Sequence, residues 1–131
     1  MTVDDGVRAL EIELAELAAD LTAVGWHECV LCYVNRMVVA HGCDGTLRWL
    51  RRWRQSSAPR ATRLERRAGQ VGAYCDCELF LNGWDVTVDI VRDESTGDEY
   101  WPDTVTGCRG VPAGVTQPCS LWERLNGATR W

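Results

Sequence analysis

Apolar residues return at every third or fourth position near the start of the chain. Val3, Val7, Leu10, Leu14, Leu17, Leu21 and Val24 step alternately by four and three, which sets them along one stripe of a helix. The pattern predicts a long amphipathic helix over residues 2–24, with Thr2 and Asp5 as a capping pair and Gly25 as the stop. Such a stripe can pack on the chain's own core or zip two copies into a homodimer. Ile12 widens the apolar face beyond a strict seam.

Three more helices read the same way. Residues 28–41 place Val30, Val34, Met37 and Val38 on a broad inner face, and Gly42 ends the element. After Gly42-Cys43-Asp44-Gly45-Thr46, with Asp44 or Thr46 as cap, Leu47, Leu50 and Trp53 form the stripe of a third helix. Ser56-Ser57-Ala58-Pro59 interrupts it and can open a fourth, where Ala61, Leu64, Ala68 and Val71 keep helical spacing up to Gly72. Beyond Cys77 the period changes. Glu78-Leu79-Phe80-Leu81 fits a short strand, with Asn82-Gly83 as a hairpin turn, or one helical turn. Val86, Val88 and Ile90 alternate with Thr87 and Asp89, which predicts a strand at 85–91. A polar loop leads to Tyr100-Trp101 as the start of a return strand. From Gly107 to Trp131 glycine and proline are frequent, so the tail reads as irregular, with Cys108 and Cys119 as its anchors.

With 131 residues, 46% of them apolar, the chain supports one modest core and is too apolar for a disordered tail. The net charge of −5 argues against nucleic-acid binding by bulk electrostatics. The charge is unevenly spread. Arg48, Arg51, Arg52, Arg54, Arg60, Arg63, Arg66 and Arg67 crowd one stretch against Glu65 alone, with Trp49 and Trp53 among them. That face can hold phosphate, stack on bases or dock an acidic protein. It can equally be a solvated helical face whose Arg stems cover apolar surface. A protein partner is favoured over nucleic acid. No apolar run approaches the roughly 18 residues of a membrane span, so no membrane partner is expected. The acidic start Met1-Thr2-Val3-Asp4-Asp5 lacks the form of a secretion signal. The expected compartment is the cytoplasm, where thiols stay reduced and clustered cysteines serve as ligands more often than as disulfides.

The seven cysteines change the picture most. Cys75 and Cys77, one residue apart, cannot bridge each other without severe ring strain. Both can point at one metal ion if the backbone turns between them, with Cys43 as the nearest partner. Cys29-x-x-Cys32 is a second chelating pair, because ligands three apart at the start of a helix project from one side. A Cys-x-x-Cys step also reads as a redox pair. His41 offers a nitrogen ligand two residues before Cys43. Zinc accepts such a set as a tetrahedron of thiolates and imidazole. Cys29, Cys32, Cys43, Cys75, Cys77, Cys108, Cys119 and His41 are therefore the candidate metal ligands.

Two stretches resemble a known family. His41-Gly42-Cys43-Asp44-Gly45-Thr46-Leu47-Arg48-Trp49, followed by Gly72-Ala73-Tyr74-Cys75-Asp76-Cys77-Glu78-Leu79, is similar to the bacterial, largely actinobacterial family of domains of unknown function numbered 2695. The resemblance runs over about residues 28–84, with Gly72-Ala73 where the family commonly has Gly-Gly. The Cys-x-x-Cys and the tail Gly114-Val115-Thr116-Gln117-Pro118-Cys119-Ser120-Leu121-Trp122 resemble its longer members. No reaction comes with the family. The resemblance implies a division of the thiols, with Cys43, Cys75 and Cys77 in the family core and Cys29, Cys32, Cys108 and Cys119 in the extension. Two sites follow: a closed four-thiolate site pinning the tail to the second helix, and a three-thiolate site completed by His41 or left open. A single site, using Cys29 or Cys32 with the core three, is the simpler alternative.

Closed four-thiolate sites are structural, whereas an open position marks a catalytic zinc. In an open core site Asp44, Asp76 or Glu78 is placed to act as a base on bound water. The expected molecule is a single α+β domain over residues 1–131, predominantly helical and cross-linked by one or two zinc ions. It has the N-terminal helix, a cysteine-rich core at 28–84 with a short β hairpin near 74–91, and an anchored tail over 85–131. The expected function is a non-catalytic protein-interaction module. The alternatives are an enzyme with an open three-thiolate zinc, and a thiol redox or metal-handling protein.

Overall fold

The computed structural model describes residues 3–87, 91–100, 107–126 and 130–131. Four α-helices come first: α1 (Val3–Leu21), α2 (Val30–His41), α3 (Arg48–Ser57) and α4 (Leu64–Gln70). A single wide π turn (Leu79–Gly83) leads into short strands β1 (Trp84–Val86), β2 (Val91–Arg92), β3 (Glu99–Tyr100) and β4 (Trp122–Arg124).

The core forms where α2 crosses α3. Val30, Leu31, Tyr33, Val34 and Met37 of α2 are buried, as are Trp49, Leu50 and Trp53 of α3. Leu64 and Ala68 of α4 close one side. Leu79, Trp84, Leu121 and Trp122 close the other. The two tryptophans of α3 donate their N–H groups to backbone oxygens: Trp53 Nε1 to Glu28 O at 3.0 Å and Trp49 Nε1 to Gly42 O at 3.2 Å. These two indoles therefore tie α3 to the backbone on either side of α2 as well as filling volume.

α1 does not join this core. Every residue from Asp5 to Leu21 is exposed. Only the segment after it is tied down. Tyr33 Oη donates to Thr22 O at 2.7 Å, and Arg36 Nη2 donates to Ala23 O at 2.9 Å while pairing with Glu28 at 2.8 Å. The stem is held and the stripe is left bare. No helix among the described residues is long and apolar enough to cross a membrane.

The structure is mostly helical with a small two-stranded antiparallel hairpin, but the hairpin is not at 74–91. It joins β2 to β3, pairing Val91 with Tyr100 and Arg92 with Glu99. Residues 79–83 form the π turn instead of a strand, and Asn82-Gly83 is no hairpin turn. Asn82 Nδ2 donates to Gly72 O at 2.9 Å, and Gly83 is buried with Val71 against it, so a Cβ at 83 would lie 3.1 Å from Val71 Cγ2. Contact with the end of α4 outweighs the local turn preference of Asn-Gly. The tail is also less irregular than expected. β4 pairs antiparallel with β1, matching Trp84 with Arg124 and Val86 with Trp122. Val88, Ile90 and Trp101 of the expected strands lie outside the described residues. The fourth helix starts at Leu64, after turns over 59–63.

The cap of α3 is a further difference. Asp44 accepts from Thr46 N at 3.0 Å and so closes the turn before the helix. The helix itself is capped from a distance. Asp76, fully buried, accepts from Trp49 N at 2.9 Å and from Leu50 N at 3.1 Å, one oxygen each. Its own N–H donates to Thr46 O at 3.0 Å.

The arginine face is partly spoken for. Arg54 pairs with Glu65 at 2.6 Å, and the Arg48 guanidinium lies 4.2 Å from the Trp49 ring centroid. Trp49 and Trp53 are buried, so neither presents a free stacking platform. Arg52 is exposed on this face. Arg52→Ala is expected to leave the thermal melt within about 0.5 kcal/mol of wild type, read by circular dichroism.

Candidate metal centre

Cys29 occupies the N-cap of α2, and Cys32 stands one turn further on. Cys108 and Cys119 come from the tail. The four sulfurs all lie within 4.8 Å of one another. Three separate segments of chain thus bring thiols to one point, and all four are free thiols. The Cys32 and Cys119 sulfurs are 3.7 Å apart, well beyond a disulfide bond.

The surroundings suit thiolates. Cys32 N donates to Cys29 Sγ at 3.4 Å, Cys29 N to Cys108 Sγ at 3.2 Å and Gly110 N to Cys108 Sγ at 3.3 Å. Trp122 Nε1 donates to Cys32 Sγ at 3.2 Å. Hydrogen bonds of this kind orient ligand sulfurs and temper their charge. The hydrogen bond from the Cys32 thiol is the main force that takes Cys29 down to about 6. Cys32, as the donor of that pair, is pushed up correspondingly. Burial pushes Cys108 up. Proton sharing among crowded thiols is what a metal ion replaces when it binds, since ligation deprotonates them.

The tail reaches this point through backbone pairing. Val111 N donates to His27 O at 2.9 Å, and the His27 ring Nδ1 lies 2.8 Å from Val111 O. His27 has positive φ, 54°, a conformation uncommon outside glycine. It thus serves as a docking residue for the tail.

The other three cysteines gather elsewhere. Cys43 follows Gly42, whose φ of 81° turns the chain out of α2. Its thiol interacts directly with those of Cys77 and Cys75. Burial pushes Cys43 up, but hydrogen bonds from the backbone of Cys77 and Gly45, and from the two thiols, carry it below the ordinary cysteine value. Cys77 is raised to about 11, first by its hydrogen bond to Cys43 and then by burial. Burial raises Cys75. His41 is exposed at the end of α2, with its ring centroid 5.5 Å from that of Trp49.

Of the eight candidate ligands, Cys29, Cys32, Cys108 and Cys119 form one group with all four sulfurs within 4.8 Å of one another, and among the described residues Cys43, Cys75, Cys77 and His41 make no group of that spacing. Two structural residues carry no ligand signal in the sequence: Asp76, whose oxygens are both committed to α3, and Trp122, which donates to Cys32. The position of an aspartate between two cysteines was the only hint of the first.

Residues 30–82 match the family model of a protein of unknown function, DUF2695. The match takes in α2, α3, α4, His41 and four cysteines, 32, 43, 75 and 77, so Cys32, expected in the extension, lies within it; Cys29, Cys108 and Cys119 lie outside. Relatives include the uncharacterized proteins Mb2294 of Mycobacterium bovis (strain ATCC BAA-935 / AF2122/97) and Rv2271 of Mycobacterium tuberculosis (strain ATCC 25618 / H37Rv). Each is 36% identical over 55 residues, which is 42% of this chain and 56% of the relative. The chain thus spans little more than half the length of these relatives. No solved structure matches.

Proposed function

We propose that this chain is a non-catalytic protein-interaction module of a reducing, cytoplasmic compartment. Zinc on Cys29, Cys32, Cys108 and Cys119 holds its shape, and α1 joins it to a second copy of itself. The observation that carries the interaction reading is the uncovered stripe of α1. Val7 is 50% exposed, Leu10 56%, Leu14 57%, Leu17 56% and Leu21 58%. A helix of 19 residues in a protein draws most of its stability from packing its amphipathic face, and a contiguous apolar stripe of this kind marks a contact surface.

The charges beside the stripe favour a parallel pair. With Leu10 and Leu17 at d and Val7, Leu14 and Leu21 at a, the e positions include Glu11 and Ala18 and the g positions Gly6 and Glu13. In a parallel dimer each g residue faces the e residue five further on. Gly6 then meets Glu11 and Glu13 meets Ala18, so no acid faces an acid. An antiparallel dimer centred on the same leucines sets Glu11 against Glu11 and Glu13 against Glu13. Burying the stripe stabilises the pair by about 1 kcal/mol for each half-exposed leucine covered. Ile12 does not widen this stripe as its apolar side chain suggested: at f it falls on the outer face, away from the seam.

The zinc part rests on geometry and donor chemistry. Sulfurs bound at about 2.3 Å around a tetrahedral ion are separated by about 3.8 Å. The 3.7 Å between Cys32 and Cys119 already has that spacing. Four thiolates close the coordination sphere, which is the structural form.

The low thiol of Cys29 at a helix N-terminus also suits the redox reading. Against it, Cys29 is fully buried and cannot meet a substrate disulfide. Light scattering tests the dimer. Wild type is expected at twice the 14.7 kDa chain mass, and Leu14→Asp as a monomer that keeps its zinc. A monomeric wild type removes the self-association and leaves the stripe to a different helix.

A further inference from the structure

We infer that Arg60, Arg63, Arg66 and Arg67 line a cleft that binds a small ligand through two linked phosphate groups. No residue of α1 and no cysteine lines it, so it is separate from the dimer contact and from the zinc.

The cleft has two adjoining lobes. One, of about 450 Å³, lies between Arg60, Arg63 and Arg67 on the α4 side and Gly114 and Thr116 of the tail. The other, of about 280 Å³, is ringed by Arg63, Arg66, Arg67 and Gln70. Arg63 and Arg67 border both. Packing brings these side chains together. Leu64 and Ala68 are buried in the core, which leaves positions 63, 66 and 67 on the outer side of the same short helix. Ala61 N donates to Ala58 O at 2.9 Å and Leu64 N to Ala61 O at 3.1 Å, and these turns fix where Arg60 leaves the chain.

The four charges have no carboxylate of their own. Among the described residues the ion pairs use Arg36, Arg48 and Arg54, and no acidic side chain lines either lobe. Glu65, the acid nearest in the chain, is taken by Arg54 at 2.6 Å. Arg66 and Arg67 stand three and four residues after Arg63, a spacing at which like charges on a helix repel. An anion in the cleft removes that repulsion.

Phosphate is the group that suits the cleft. The guanidinium fork meets two of its oxygens at once. Four positive charges match two phosphates of about −1.5 to −2 each at neutral pH, one to a lobe. A long polyanion fits less well. It would extend over the rest of a chain whose net charge is −5, whereas a ligand no longer than the screening length of about 8 Å meets the arginines alone. Trp49 and Trp53 are buried, so neither indole of α3 is open to stack on a base.

Calorimetric titration of the full, zinc-loaded chain with inorganic pyrophosphate tests the site. Wild type is expected to bind one pyrophosphate, and to bind it more tightly than inorganic phosphate. Arg67→Ala, which alters both lobes, should weaken pyrophosphate about tenfold, the loss of one charge-assisted contact. Arg51→Ala removes a likewise exposed charge outside the cleft and should leave the affinity unchanged. Equal affinity of the two variants overturns the cleft, as does pyrophosphate that binds no more tightly than phosphate, or not at all at millimolar concentration. An oligothymidylate that binds more tightly than pyrophosphate and displaces it assigns these arginines to nucleic acid and overturns the small ligand.

Discussion

Stripping zinc with a strong chelator is expected to release the tail of this chain and unfold much of what it covers. The segment from Gly107 to Ser120 contributes one buried residue to the core, Cys119. Apart from its sulfurs, it is held by the His27–Val111 pairing and by isolated contacts such as Thr87 Oγ1 to Ser120 O at 3.0 Å and Trp131 Nε1 to Thr116 O at 2.7 Å. That is too little to offset roughly 1–2 kcal/mol of backbone entropy per ordered residue. Structural zinc contributes about 10–16 kcal/mol of apparent binding free energy in small domains, as much as a whole domain's usual net stability of about 5–15 kcal/mol. Losing the tail also strips β4 from β1 and uncovers Trp84. Chelation should therefore abolish the near-ultraviolet dichroism of the tryptophans and open residues 107–120 to protease. Cys119→Ser should do the same without chelator. A stripped protein with the melt and protease pattern of the loaded one would falsify the staple.

Replacing Asp76 is expected to be the most damaging change away from the thiols. Its carboxylate satisfies two N–H groups at the start of α3 that no residue of the helix can reach. Leaving two buried donors unsatisfied costs about 1–3 kcal/mol each. Asp76→Ala should lower stability by about 3–5 kcal/mol on that basis, measured by denaturant unfolding of the zinc-loaded chain. Asp76→Asn should lie between, because its amide turns a donor towards one of the two N–H groups. The pH dependence has a definite sign. Burial pushes the Asp76 carboxyl above its ordinary value. The folded chain then keeps this proton to higher pH than the unfolded chain does. Its contribution is greatest below the ordinary aspartate value and declines as pH rises through the folded value. The difference in stability between wild type and Asp76→Asn should follow that curve, and a pH-independent difference would count against the buried cap.

The helices were legible because each is written in a local period. The stripe from Val7 to Leu21 and the inner face of α2 both come from residues three and four apart, which share a helix face whatever the rest of the chain does. The ends were less legible. Asn82-Gly83 has the chemistry of a hairpin turn, yet Gly83 packs under Val71 and Asn82 closes on Gly72. Asp44 was a sound local cap for α3, but a carboxylate from residue 76 occupies that place.

What the sequence determined by itself is therefore what a few neighbouring residues can settle: four helices, an apolar stripe on the first, and cysteines spaced to chelate. Periodicity and spacing are enough, because they act within one turn of helix or one bend of chain. The tertiary structure decided everything that joins distant segments. It left α1 bare, paired β1 with β4, placed Asp76 under α3, and set Cys108 and Cys119 against Cys29 and Cys32. The physical reason is that such contacts form only when buried indoles and leucines bring remote stretches together, and no local pattern records which stretches those are.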